Sequence, residues 1–240
     1  MCGRFVSSTP VEQIAKEFHV DEVRAAPAPP DFNVAPRATI NVVLDEAHDA
    51  AVDRVLEGLR WGLVPSWAKD LKVGDRMINA RAETVATKSA FRRAFKHRRC
   101  IIPADAFYEW KVVAGQKRKQ PMAIKRRDGE LLAFAGLWER WRDPEEPDAE
   151  WIRSATIITG KPNEVIAPIH DRMPVILPES KWDEWLDPTF DDVEALEALL
   201  VSAPSELFEV YPVSTRVNNA RDHSELLLER VETTEEQSLL

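Results

Sequence analysis

An α+β fold with a largely antiparallel sheet is what this 240-residue sequence predicts. Two observations carry the expectation. Short β-rich runs recur along the chain without a regular β-α-β alternation. The helical stretches are few and short. No internal repeat and no linker-like segment divides the chain, so a single domain is expected.

Thr9-Pro10-Val11-Glu12 reads as a helix start, with Thr9 as cap and Glu12 closing a capping box. Val11, Ile14, Ala15 and Phe18 then recur at helical spacing. Residues 25–36 are rich in Ala and Pro and read as an extended loop. Strands are expected at 38–44 and 52–57, joined by a polar turn at 45–51. Residues 61–80 read as irregular, with Trp61, Pro65, Trp67 and Gly74. A helix is expected at 89–96 and a strand at 107–113. Strands at 122–125 and 131–137 flank Asp128-Gly129, a dipeptide that points to a hairpin. Residues 143–150 read as a solvated acidic loop, 154–159 as a strand, and 178–186 and 191–201 as helices. Trp182, Trp185 and Leu186 share one helical face. A late strand is expected at 208–213, and a frayed end at 233–240.

Hydrophobic residues make up 44% of the chain and charged residues 30%, which excludes disordered and collagen-like classes. The longest apolar run, 131–138, is far short of the ~20 residues of a spanning helix, so no membrane role is expected. The N-terminus has no apolar h-region. Two cysteines, Cys2 and Cys100, argue against a disulfide framework and point to a reducing, cytoplasmic setting. No Cys-x-x-Cys or His-Glu-x-x-His occurs, so neither a metal nor another cofactor is expected. The net charge is −9, but it is unevenly spread. Residues 81–127 hold 14 Lys and Arg against three acids, a local +11 that leaves −20 elsewhere. Residues 179–240 hold 16 acids against four bases. The asymmetry suits an anionic partner on one face. A basic surface balanced by acidic helices accounts for it equally well.

Cys2 is the sharpest chemical feature. Once Met1 is removed, Cys2 presents an α-amine and a thiol on adjacent carbons. With a pKa of ~7.7–8, the amine is partly neutral at pH 7 and nucleophilic. A 1,2-aminothiol condenses with an aldehyde to an imine, and its sulfur then closes a thiazolidine ring; an internal cysteine cannot do this. Gly3 permits close backbone approach, and Arg4 suits a phosphate. Glu109 sits among the aromatics of Phe107-Tyr108-Glu109-Trp110, where a raised pKa would suit proton shuttling. Strand alternation equally allows it to face solvent. His170, in His170-Asp171-Arg172, suits a base or a hydrogen-bond donor, or a structural role. Asn79 and Arg81, in Asn79-Ala80-Arg81-Ala82-Glu83, suit a carbonyl and a phosphate. The segment 91–99 interleaves aromatics with bases, which fits stacked bases and phosphates, or a cationic helix packed through Phe91, Ala94 and Phe95. Trp61 and Trp67 are candidate stacking platforms.

Taken in order, these pieces resemble the SOS response-associated peptidase (SRAP) family. The resemblance runs from Met1-Cys2-Gly3-Arg4-Phe5 to about Val217. It passes through Asn33-Val34-Ala35-Pro36, 61–67, 79–83, 99–104, 107–110 and 170–174. It implies a single domain over 1–222, built on a barrel-like sheet with flanking helices, with 223–240 set apart as an acidic tail. It implies a sensor of abasic sites in single-stranded DNA that crosslinks through Cys2 as a thiazolidine. Cys2, Asn79, Glu109 and His170 match the family's active-site positions. Arg4, Arg81 and Arg172 match phosphate contacts, and Trp67 a wall beside unstacked DNA. The family name further implies autoproteolytic exposure of Cys2. A monomer, associated with the nucleoid when bound to DNA, is expected. One departure is that Ala68-Lys69-Asp70 follows Trp67, where some relatives carry a second bulky aromatic. The strongest rival is an N-terminal-nucleophile glutamine amidotransferase, whose chains also begin Met-Cys-Gly. Those enzymes need an Asn-Gly oxyanion pair, and this chain has no Asn-Gly dipeptide.

Overall fold

The computed structural model describes residues 2–24, 27–48, 51–115, 117–146 and 148–232. In chain order its elements are β1 (Phe5–Ser7), α1 (Val11–Glu17), β2 (Glu22–Val23), β3 (Asp31–Val34), β4 (Thr39–His48) and β5 (Ala51–Trp61). There follow β6 (Asn79–Arg81), α2 (Arg92–His97), β7 (Arg99–Ala104), β8 (Ala106–Lys111), β9 (Gln120–Arg126) and β10 (Leu132–Trp141). The last are β11 (Ile152–Gly160), β12 (Met173–Pro174), α3 (Trp182–Leu186), α4 (Val193–Ala198) and β13 (Phe208–Pro212). No described helix is long and apolar enough to cross a membrane.

The fold is mixed α+β and mostly antiparallel, as expected. One sheet has the order β13-β9-β8-β1-β3. The other runs β12-β11-β10-β7-β4-β5-β2 and curls until β5 meets β11 in parallel, through Arg60 with Ser154 and Trp61 with Ala155. This closes a ring-like sheet. Strand β6 also joins β11 in parallel.

The ring's central strands are buried on both faces, which requires continuous apolar runs. Cys100, Ile102, Leu132 and Phe134 face the space between the two sheets, with Phe5, Trp61 and Phe107. Phe5 meets Trp61 edge-on at 5.1 Å between centroids. Ile101, Ala133, Ala135 and Leu137 face the opposite way, onto a layer that includes Phe95, Trp182, Trp185 and Leu196. A third layer covers the outer side of the five-stranded sheet, where Tyr108, Tyr211, Val217 and Leu227 pack together.

Several expectations need correction. The Asp128-Gly129 turn does not close a hairpin: β9 pairs with β8 and β13, while β10 pairs with β7 and β11. The turn carries the chain from one sheet to the other, with Gly129 at φ +80°. Thr9 does not cap α1. Its hydroxyl donates to Asp105 Oδ1 at 2.7 Å, and Pro10 occupies the cap position. Residues 31–34, read as loop, form β3, and Asn79 and Ala80, read as irregular, belong to β6. Trp61 is core, fully buried, with its Nε1 donating to Ile78 O at 3.0 Å. The segment set apart as a tail at 223–240 begins as packed structure. Leu227 is fully buried, and Val231 N donates to Pro212 O at 3.0 Å. Residues 233–240 lie outside the described residues.

Candidate functional site

Cys2 lies just before β1, fully buried, beside the inter-sheet core. Its carbonyl oxygen accepts from Asn79 Nδ2 at 2.8 Å, which ties the N-terminal segment to β6 and so to the ring sheet. The Oδ1 of Asn79 is buried and has no hydrogen-bond partner among the described residues. Burial pushes the Cys2 thiol pKa up, and the nearby Glu109 carboxylate adds to the effect, so the sulfur is protonated at neutral pH.

Glu109 is the fourth residue of β8, beyond Tyr108, whose N–H donates to Arg4 O at 3.0 Å. It is 2% exposed, which resolves the alternation question in favour of an inward carboxyl. Loss of hydration upon burial raises its pKa to about 7. His170 Nε2 stands 3.9 Å from Glu109 Oε2. The ring's Nδ1 lies 3.0 Å from both Arg172 N and Asp171 Oδ1, and its Nε2 is turned toward Glu109. Burial lowers the His170 pKa and keeps it neutral.

Outside this group is an open cleft of about 520 Å³ lined by Arg81, Glu109, Trp110, Lys119, His170, Asp171 and Arg172. Its walls come from different sheets. Glu109, Trp110 and Lys119 belong to the β8–β9 unit. Arg81 ends β6, and His170 to Arg172 precede β12. A site at such a junction is held by two rigid frames. Arg81 is exposed and makes no ion pair among the described residues.

The structure thus brings Cys2, Asn79, Glu109 and His170 together, with Arg81 and Arg172 at the mouth. Arg172 is committed elsewhere: it makes a two-pronged pair with Glu83, at 2.5 and 2.9 Å, and donates to Thr159 O. Arg4 does not line the cleft. Its Nη1 donates to Asn33 Oδ1 and Val217 O, both at 2.8 Å. Trp67 also lies outside the cleft lining, yet it is 58% exposed in a loop anchored by Trp141 Nε1 donating to Ala68 O. Sequence reasoning missed Trp110 and Lys119. Trp110 directly follows Glu109, so adjacency alone could have raised it. No groups of metal-ligating side chains occur among the described residues.

Comparison with known proteins shows the family. The family described as SOS response associated peptidase (SRAP) matches residues 1–220. The chain belongs to the SRAP family. Among curated SRAP relatives, "Abasic site processing protein YoqW" of Bacillus subtilis is 43% identical over 230 residues, covering 95% of this chain and 99% of that protein. "Abasic site processing protein HMCES" of Rattus norvegicus is 34% identical over 228 residues, covering 81% of this chain and 63% of that protein. A solved structure of a Bacteroides thetaiotaomicron protein superposes with a TM-score of 0.84 at 22% identity, over 96% of this chain and all of that one, which shows the fold. A phage-related protein from Bordetella bronchiseptica is 30% identical, with a TM-score of 0.65 over 88% of this chain and 94% of its own.

Proposed function

We propose that this SRAP chain captures abasic sites in single-stranded DNA covalently through Cys2, once Met1 has been removed. The observation that carries the reading is the group itself. A buried N-terminal cysteine is tied by Asn79 and faces an inward carboxyl with a pKa near 7, under a cleft with basic groups at its rim.

The order of steps follows from the protonation states. The thiol is held protonated, so the α-amine attacks first, adding to C1′ of the ring-opened sugar aldehyde. The resulting carbinolamine loses water, and Glu109, near half-protonated at neutral pH, supplies the proton to the departing hydroxyl. The thiol then adds across the C=N bond, its proton passing to nitrogen, and the thiazolidine closes. One water leaves per crosslink, and no oxidant or cofactor is needed. The orphaned Asn79 Oδ1 is an acceptor suited to the liberated Cys2 amine. His170, with Nε2 toward Glu109, suits the ring-opened sugar hydroxyl. Autoproteolytic exposure of Cys2 draws on the same residues. In this proposal the protein acts as a monomer.

The test uses Met1-processed protein and a single-stranded oligonucleotide carrying one abasic site. A heat- and SDS-resistant adduct, located at Cys2 by peptide mass spectrometry, is expected. It should be absent with Cys2→Ala and with undamaged DNA. No adduct, with Met1 confirmed absent, overturns the reading; glutamine-dependent ammonia release would favour the amidotransferase alternative.

A further inference from the structure

The acidic part of the chain takes no part in the chemistry above, yet it borders a cavity of its own. This cavity has a volume of about 690 Å³. It opens where the inter-sheet core meets the helical layer. Ile176 and Ala203 line it from the former, and Leu131, Leu177 and Trp182 from the latter. Strand β9 separates it from the Cys2 cleft. Lys119, just before the strand, lines the cleft, and Arg126, at the strand's end, lines the cavity. At ~3.3 Å per residue the two residues stand roughly 20 Å apart.

The walls are apolar and held in place. Leu177 N donates to Ala133 O at 2.9 Å, and Trp182 Nε1 to Leu177 O at 3.2 Å. Trp182 also stacks on Phe18, with centroids 4.4 Å apart. On the other side, Ala203 O accepts from Asn163 Nδ2 and Leu207 O from Arg127 N, both at 3.0 Å. Val201 lines the cavity while remaining 62% exposed. A cavity of this size with fixed walls needs little reordering to accept a ligand.

The lining carries mostly one sign of charge. Glu17, Glu130 and Glu179 stand against a single guanidinium, Arg126. Arg126 is already paired with Asp128 and Glu130, at 2.6 and 2.7 Å. Burial raises the Glu17 pKa, so an incoming cation would stabilise its carboxylate. Residues 179–206, which contribute several of the lining residues, hold nine acids and one base. That base, Lys181, pairs with Glu184 at 2.7 Å. Phosphate-bearing partners are repelled by such a surface. Its complement is an apolar body with cationic flanks. The three carboxylates come from α1, from the turn after β9 and from the residues before α3. Several cations on one chain match that spread better than a single compact amine does.

We propose that this cavity docks a short segment of a partner protein, in which apolar side chains are flanked by lysine or arginine. The apolar side chains fill the cavity, and the cations meet the carboxylates at its rim. The inference does not depend on the abasic-site reading. It gives the chain a second surface, separate from the cleft, through which a partner engages it.

The test selects a displayed random-peptide library on the parent protein and counter-selects it on Val201→Arg. That variant puts a cation beside the cavity at an exposed position. Enriched peptides should combine large apolar residues with a net positive charge. Once synthesised, they should bind Val201→Arg and Glu17→Gln/Glu179→Gln at least about tenfold more weakly than the parent protein. Added salt should weaken their binding to the parent. Val201→Leu should bind them as the parent does, and melting curves check that every variant folds. Adduct formation on abasic DNA should be the same in all of them. Neutral or acidic peptides, or peptides indifferent to these substitutions, overturn the inference, as does a selection that enriches nothing. A dimer in sedimentation that Val201→Arg abolishes also overturns it, since the cavity then takes a second copy of the chain. Absence of any adduct from the parent protein overturns the abasic-site reading and leaves this inference standing.

Discussion

Glu109 is the residue whose environment says most. Its carboxyl is buried, and its pKa of about 7 compares with an ordinary value of 4.5. Between those pH values the folded protein holds a proton that the unfolded chain has released, so stability falls as pH rises through this window. Ionised Glu109 is thus a cost to the fold at pH 8, on the order of 3 kcal/mol. Glu109→Gln should raise Tm relative to the parent protein at pH 8 and leave it nearly unchanged at pH 4, as read by calorimetry. In the proposed reaction the same proton limits chemistry. The crosslinking rate should climb as the Cys2 amine loses its proton and decline as Glu109 loses its own. The Gln variant should retain only the climb, at a lower rate. The resemblance is what grouped Cys2, Asn79, Glu109 and His170 in the sequence, and the structure brings those four side chains close together. The commitments of the arginines were not legible there. Arg172 is paired with Glu83, 89 positions away, and Arg4 reaches Val217 O across 213 positions. No local pattern encodes such partners.

At the scale of elements, strands buried on both faces announce themselves as apolar runs, and the ends of the chain's turns do not. Asp128-Gly129 has hairpin chemistry, yet its flanking strands join different sheets, since pairing is decided by partners far along the chain. Residues 61–80 read as irregular because their order depends on one close approach. Gly62, at φ +122°, and Gly74 stack backbone on backbone, and a Cβ on Gly62 would sit 2.6 Å from Gly74 O. Gly62→Ala should therefore cost about 1–3 kcal/mol in chemical denaturation and slow adduct formation, because this contact precedes β6 and sets Asn79. Arg99 gives a contrasting case. It reads as one more base in a cationic run, but it ties α2, α3 and the residues after α3 to β7 by donating to their backbone carbonyl oxygens. Arg99→Met would strand five carbonyl oxygens and should cost about 3–5 kcal/mol. The salt slope of DNA binding should stay unchanged, since this guanidinium is buried.

For the whole molecule, the site exists because two sheets meet. Neither holds it alone: Glu109 comes from one, Asn79 and His170 from the other, and Cys2 enters between them. In the proposed reaction the relative placement of the sheets is therefore a functional quantity, and the outer layer over the five-stranded sheet helps to set it. Leu227 packs there in one apolar cluster with Tyr108, Val213 and Val217, next in sequence to Glu109 through Tyr108. Asn33 reinforces the same layer, donating to the carbonyl oxygens of Asn219 and Asp222 while accepting from Arg4. Composition made residues after 222 look like a solvated appendage, because acidic side chains surround the few apolar ones that anchor it. Leu227→Ala should remove a fully buried side chain and cost about 2–5 kcal/mol in denaturant unfolding. If the layer only adds stability, adduct formation well below the melting temperature will match that of the parent protein. If it also positions β8, the rate will fall at temperatures where the variant is fully folded. The pH at which Glu109 loses its proton will then shift downward as water reaches the carboxyl. The second outcome is expected, because the cluster holds Tyr108 and Trp110, the two residues that flank Glu109 on β8.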